Sequence, residues 1–494
     1  MADDKNLTQR SFKAASWVVV FHFATEFVQL FLGICMVRLL TPEDYGVLGV
    51  LAIFWAISQK FVDGGFGLAL VQKKEVTEED YCSVFYYNLF LSMFFCLLMA
   101  CSASWIAGFF HQPILKKTIL VSMWTLPLGA VITIQHKMLQ RSLRQGLNAL
   151  ITMLTIPPSG GAALYLAWKG YGVWALVWQP VIAAFCRTLL FIYFVRWRPR
   201  LIFSFKALKS LSSFGSKILF SDLLDTVVTN LNSVVIGKFY NASLLGYYSK
   251  ANTYAKCWPN SVQGAISSVL YPAFSKMQDD IPRLKNAFRR SLCMSIFAVV
   301  FPSYLLCALS RPLVELVFTP RWLPCVPYWW MITCTIVFWP IRTLNMQLLT
   351  SRGRSDLYLL LESIKKGLTL FSVVILAFYG LMAMLWFGVF TWAFGAYLNT
   401  YFTAKELGYG LFKQLRDVMI YIVLSLVSCV AAWGSYMLIY PHARWIGLIV
   451  PAALGCICYG GLNLLLKTSA SIEFVQLLAG WFPPVKKLLG RFVP

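Results

Sequence analysis

The chain has 494 residues, of which the apolar set AVILMFWYC makes up 59% and the charged residues only 13%. A soluble domain carries about 25% charged residues, so neither a soluble enzyme nor a disordered protein has this composition. The net charge of +23, from 43 Lys and Arg against 20 Asp and Glu, suggests nucleic acid as a partner. The cations, however, sit mostly in short breaks between apolar runs, where membrane proteins keep their cytoplasmic Lys and Arg, so no nucleic-acid partner is expected.

A bilayer-spanning helix needs about 20 mostly apolar residues. Fourteen runs meet this, at roughly 14–37, 46–68, 83–109, 114–135, 147–168, 171–194, 211–237, 244–274, 291–309, 323–349, 357–379, 382–404, 418–440 and 445–466. The first, Ala14 to Val37, is too long for the apolar core of a signal peptide. Runs seven and eight are the least hydrophobic. With an even count both termini lie on one side, and the terminal side of the loops holds 31 Lys and Arg against 8 on the other, with 4 inside spans. That bias predicts both termini in the cytoplasm. The tail beyond residue 470 mixes Trp481, Phe482, Leu488, Leu489 and Phe492 with Lys486, Lys487 and Arg491, and predicts an interfacial helix broken at Pro483–Pro484.

No loop exceeds about 25 residues, which leaves no room for a soluble catalytic domain. The 13 cysteines lie mostly inside apolar runs, with no Cys-x-x-Cys, and the four histidines (His22, His111, His136, His442) are scattered. Buried cysteine behaves as a small hydrophobe. There is no phosphate-binding loop, Ser/His/Asp set or exposed pair of catalytic carboxylates. These features predict a transporter without catalytic residues, metal or cofactor, driven by an ion gradient or by removal of product.

The chain also repeats itself. Arg38-Leu-Leu-Thr-Pro-Glu-Asp-Tyr-Gly46 follows the first run and Lys238-Phe-Tyr-Asn-Ala-Ser-Leu-Leu-Gly246 the seventh, 200 residues later. Residues 103–113 and 310–320 match after runs three and nine, and Arg141-x-x-Arg144 parallels Arg352-Gly-Arg354 after runs four and ten. Three matches in order predict two copies of a six-helix bundle. The expected fold is therefore an all-α polytopic membrane protein of about 14 transmembrane helices. Its lobes are residues 1–200 and 201–410, followed by two further helices in 411–470 and the tail 471–494. Both copies begin on the same side, so the pseudo-two-fold axis runs along the membrane normal and the substrate site falls between halves.

RLLTPEDYGVLGV (38–50) and FVDGGFGLALVQKKEVTEEDY (61–81) resemble the signature of bacterial polysaccharide exporters of the Wzx type. These form part of the multidrug/oligosaccharidyl-lipid/polysaccharide flippase superfamily. LLGYYSKANTYAKCWPNSVQGAISSVLYPAFSKMQDDIPRL (244–284) is similar to their second-half signature, and the likeness, closest to the colanic-acid-exporter branch, runs from about residue 5 to 410. It implies two lobes in a V around a cavity and movement of undecaprenyl-pyrophosphate-linked oligosaccharide between leaflets of the inner membrane. Members commonly carry Asp where this chain has Asn232, so any coupling or binding role of that Asp is absent here or moved to Asp222 or Asp225.

A charge within a span normally faces a cavity or a partner. Asp222, Asp225, Thr229 and Asn232 share one face of span seven, and Lys250, Thr253, Cys257, Asn260, Gly264 and Ser267 one stripe of span eight, with Lys256 beside it. Both helices are expected to line water. Lys250 and Lys256 are candidates to attract the pyrophosphate, with Asn232, Asn260, Arg187 and Arg342 as further substrate contacts. Asp222, Asp225, Glu26 and His22 are candidates for coupling to H+ or Na+. The competing reading is a Lys–Asp pair between spans seven and eight that neutralises itself. The expected partners are the lipid-linked glycan and the bilayer, with a monomer favoured. Rival functions are an ion-coupled multidrug antiporter or peptidoglycan-precursor flippase and, from another class, a membrane glycan polymerase or ligase.

Overall fold

Thr41 and Asp44 show how a helix starts in this chain. The Thr41 side chain accepts from the Asp44 amide at 3.3 Å while the Asp44 carboxylate accepts from the Thr41 amide at 2.9 Å. This capping box opens the helix Pro42–Asp63. Thr77 and Asp80 repeat it at the start of Glu78–Phe109, where both Asp80 oxygens also accept from the Lys73 ammonium, at 2.8 and 2.6 Å. Much of the 38–81 signature therefore builds helix ends.

The computed structural model describes residues 25–73, 75–142, 144–439 and 445–481, all helices and connecting turns. Their contacts divide at Gly246 into two units. The first holds α1 (25–39), α2 (Pro42–Asp63), α3 (Phe66–Gln72), α4 (Glu78–Phe109), α5 (Ile114–Ser122), α6 (Thr125–Arg141), α7 (Gln145–Trp168), α8 (Val173–Val195) and α9 (Phe205–Phe239). Phe66, Leu70, Val84, Phe85, Ile134, Leu208 and Leu211 form one of its cores, joining α3, α4, α6 and α9. α10 (Ala242–Lys276) starts in this unit and continues into the second.

The second unit adds α11 (Ile281–Ala308), α12 (Ser310–Leu313), α13 (Val326–Cys334), α14 (Phe338–Ser351), α15 (Ser355–Leu376), α16 (Leu381–Leu407), α17 (Leu411–Ile439), α18 (Ile446–Leu465) and α19 (Ser469–Trp481). Phe288, Leu292, Ile296, Ile341, Leu344, Val418 and Tyr421 are its central apolar residues. Within lipid the hydrophobic effect does not pull helices together, so packing and buried hydrogen bonds must. Asn345 and Gln414 supply one such bond pair, fully buried and exchanging amides at 2.9 and 3.1 Å between α14 and α17. The outward faces are apolar: Phe90, Leu97, Trp105, Val430 and Ile457 are each at least 65% exposed. A face of that kind requires a lipid cover.

Ten stretches among the described residues are long and apolar enough to cross a membrane. Helices also occupy the described parts of the other sequence-predicted runs, at α1, α10, α13–α14 and α15; residues 14–24 of the first run lie outside the described residues. α10 is the more polar of these helices, α15 carries three charges, Glu362, Lys365 and Lys366, inside its apolar stretch, and the run at 323–349 is divided between α13 and α14.

The first repeat match has a direct structural counterpart. Thr41 caps α2, and Asn241, 200 residues on, caps α10 by accepting from the Leu244 amide at 2.8 Å. Gly46 and Gly246 then pack reciprocally. A Cβ on Gly46 would stand 1.9 Å from the Ala242 carbonyl oxygen, and one on Gly246 would stand 1.9 Å from that of Pro42. Ser243 donates to Glu43 across the same seam at 3.1 Å. The two glycines are what lets the backbones approach so closely.

Candidate functional site

The ionisable residues inside helices gather in separate groups. In the first unit the Lys60 ammonium on α2 lies 2.8 Å from Asp222 on α9, with both side chains about 40% exposed. One turn beyond Lys60, Asp63 accepts from Gln59 at 3.1 Å. Lys60, Lys137 and Asp222 all lie within electrostatic reach of Asp63. Two ammonium groups thus face two carboxylates, and the group neutralises itself. Asp225 and Thr229, one and two turns further along α9, are exposed, while Asn232 is half-buried.

A second group in this unit surrounds Arg187 on α8. One terminal guanidinium nitrogen lies 3.4 Å from the Asn148 side-chain oxygen, and the guanidinium carbon is 5.7 Å from the centre of the Phe191 ring. Its Nε is buried with no hydrogen-bond partner. Glu26 on α1 is exposed, and His22 lies outside the described residues.

In the second unit, α10 turns Thr253, Cys257 and Asn260 outward on one face, with Lys250 and Lys256 half-buried at its edges. The Lys250 ammonium lies 5.7 Å from the Tyr254 ring, which packs against Phe318 and Trp329 at 4.8 and 5.8 Å. The Trp258 indole donates to the Ala298 carbonyl at 2.8 Å, fixing α10 against α11.

Among the described residues Lys365 on α15 is an enclosed cation, 4% exposed. Its ammonium donates to Glu362 and, at 3.2 Å, to Asn399 on α16. Asn399 in turn donates to the Arg342 carbonyl at 2.8 Å. The Arg342 guanidinium lies over the Trp392 ring at 4.6 Å, and Trp392 packs against Trp339 at 5.6 Å. A Cβ on Gly395 would meet the Lys365 stem at 3.1 Å and the Arg342 stem at 3.6 Å, so both chains pass over this glycine. Two cations, the Glu362 carboxylate that pairs with Lys365, an amide and a pair of indoles thus converge, leaving Arg342 and the indoles suited to an anion and to the flat faces of sugars.

A family model described as polysaccharide biosynthesis protein matches residues 35–327. The chain belongs to this family. It is 24% identical over 381 residues to the lipopolysaccharide biosynthesis protein WzxC of Escherichia coli (strain K12), covering 75% of this chain and 76% of that one. It is 23% identical over 379 residues to the teichuronic acid biosynthesis protein TuaB of Bacillus subtilis (strain 168), covering 75% and 77%. Its fold resembles that of the lipid II flippase MurJ in an inward closed conformation, with a TM-score of 0.71 at 14% identity over 93% of this chain and 100% of that one. The expected resemblance to Wzx-type exporters agrees with the matches to WzxC and TuaB, and the expected helical fold agrees with the likeness to MurJ.

The polysaccharide biosynthesis match covers Lys60, Asp222, Lys250 and Lys256 and stops before α14, so the Arg342–Lys365 group lies beyond it. Of the sequence candidates, Asp222 is brought together with Lys60 and Asp63, and Arg342 with Lys365 and Asn399. Lys60, Lys137, Lys365, Glu362 and Asn399 are not among those candidates. Glu362 and Lys365 stand three apart on one helix, the spacing at which helical neighbours pair. That signal was available in the sequence.

Proposed function

We propose that this chain is a flippase that carries undecaprenyl-pyrophosphate-linked oligosaccharide repeat units across the bacterial inner membrane by alternating access. The product serves surface polysaccharide assembly. On this reading fourteen helices cross the membrane, both termini are cytoplasmic, and the functional lobes are residues 1–200 and 201–410. Residues 411–470 add two helices, and the tail 471–494, whose residues 482–494 with the expected break at Pro483–Pro484 lie outside the described residues, is an interfacial segment. The observation that carries the proposal is a set of cations inside the helices of a flippase-like fold: Lys250 and Lys256 on α10, Arg342 on α14 and Lys365 on α15.

A lipid pyrophosphate must lose much of its hydration to cross an apolar layer, and fixed cations in a wet passage replace its counterions. Lys250 and Lys256 take that role, with Asn260 on the same face supplying a neutral hydrogen bond. Arg342, Trp392 and Trp339 then contact the first sugars. Arg187 and Asn232 are the remaining substrate contacts. Glu26 and Asp225, with His22, form the coupling set. Asp222, held by Lys60, contributes to coupling only when that pair opens.

The test is deletion of the gene followed by complementation. Undecaprenyl-linked oligosaccharide should accumulate facing the cytoplasm, and wild-type protein should clear it. Lys250→Gln with Lys256→Gln should insert normally yet leave the intermediate in place. Normal surface glycan in that double variant would remove the cationic passage from the mechanism. Accumulation of peptidoglycan precursor instead would assign the chain to the rival flippase function.

A further inference from the structure

A second cationic site lies away from these residues, at the polar ends of α11 and α17. Lys285, Asn286 and Arg289 from α11, Tyr409 from the connection before α17, and Lys413, Arg416 and Asp417 from the start of α17 line a cavity of about 420 Å³. The cavity is held in shape from one side. Asp417 accepts from Arg289 at 2.7 Å and from the Tyr409 hydroxyl at 2.5 Å, and Tyr409 is only 3% exposed. Beneath it, Phe288, Tyr409 and Val418 belong to the central apolar cluster of the second unit. Four cations therefore surround one carboxylate, and that carboxylate is already engaged by Arg289 and Tyr409.

The position relative to lipid identifies the ligand class. The cavity opens where the apolar runs 291–309 and 418–440 begin. Arg416 shares a helical face with Phe412, Met419, Ile420 and Val423, which are 88%, 49%, 39% and 47% exposed. A molecule with phosphate in the cavity would lay its apolar part along that face. We infer that this cavity binds the phosphate headgroup of an anionic phospholipid, with the acyl chains on the exposed face of α17. Lys285, Lys413 and Arg416 contact the phosphate, and Arg289 is oriented toward it by Asp417. This rests on α11 and α17 spanning the bilayer and is independent of what the protein carries across. A basic pocket between transmembrane helices at the cytoplasmic rim is a suitable headgroup site.

The experiment is a thermal-melting titration of the purified full chain in neutral detergent, since a ligand that binds the folded form raises the midpoint with its concentration. Phosphatidylglycerol, phosphatidylcholine and inorganic phosphate serve as the three probes. Phosphatidylglycerol should saturate the shift at the lowest concentration. Each charge removed in Lys285→Gln, Lys413→Gln and Arg416→Gln should raise the half-saturating concentration about fivefold. The equally neutralising set Arg198→Gln, Lys206→Gln and Lys209→Gln, on exposed residues elsewhere, should leave it unchanged. Arg416→Gln alone, on the lipid-exposed face, keeps the test open if the triple variant does not fold. Equal shifts from phosphatidylcholine, or equal losses in the control set, would overturn the site. Inorganic phosphate acting as strongly as phosphatidylglycerol would overturn the lipid as its ligand.

Discussion

α2 and α10 start alike and then part company. Each begins with a capped first turn, at Thr41 and Asn241, and each presents a glycine to the other, Gly46 to Ala242 and Gly246 to Pro42. Four residues past the glycine, α2 has Val50, fully buried, where α10 has Lys250. Ile53, 3% exposed, corresponds to Thr253, which is exposed, and Ala56 corresponds to Lys256. The duplicated turns position the helices. The positions that differ decide whether a helix closes a core or offers polar groups. Function in this chain is therefore sought where the two copies disagree.

The largest effect should come from the shared part. Gly46→Ala or Gly246→Ala places a methyl group 1.9 Å from a carbonyl oxygen, so backbone must move. Each change should destabilise by at least about 3 kcal/mol, the upper end of overpacking, and the reciprocal geometry requires similar losses for both. Melting of the detergent-purified variants measures this. A clear loss at one glycine and none at the other would break the equivalence of the two turns.

The divergent part should respond in the opposite manner. Lys250→Gln with Lys256→Gln should reduce flipping at least about tenfold, a barrier change of about 1.4 kcal/mol, with the melting midpoint little changed. Val50→Ala should do the reverse. It opens a void in a fully buried position and should cost about 2 kcal/mol of stability, with flipping per folded molecule preserved. The two assays together measure whether one helix is structural and its repeat mate functional. If Val50→Ala abolished flipping in a protein of normal stability, that division would be wrong.

The helices and the paired turns before Gly46 and Gly246 were legible because both are written locally. Apolar runs of 20 or so residues and a glycine at a fixed offset need no knowledge of distant contacts. The cation groups were less visible. Lys60 and Lys365 sit near apolar run ends, where positive charge is normally read as a loop anchor. Their partners Asp222 and Asn399 lie 162 and 34 residues away in sequence. Only packing of α2 on α9, and of α15 on α16, brings them together. The cavity at Lys413 is not written locally either, since α11 and α17 contribute its cations from positions 124 to 131 residues apart.

The smallest effect belongs to the caps. Thr41→Ala removes the acceptor for the Asp44 amide, and Asn241→Ala removes that for the Leu244 amide. A lost N-cap costs about 1 kcal/mol, and Thr41→Ala should cost somewhat more than Asn241→Ala, since it also loses the Thr41 hydroxyl's bond to the Asp44 carboxylate. Thr41→Ser and Asn241→Asp, which keep an acceptor oxygen, should recover most of the loss. Asp44 also accepts from the Thr41 amide and hydroxyl, whereas Asn241 is followed three residues later by Leu244, which returns no such bond. Asp44→Ala should therefore add to the loss on the α2 side, and Leu244→Ala should show no capping component. Paired melting curves of these variants would measure how far the first copy has strengthened a turn that the second keeps in simpler form.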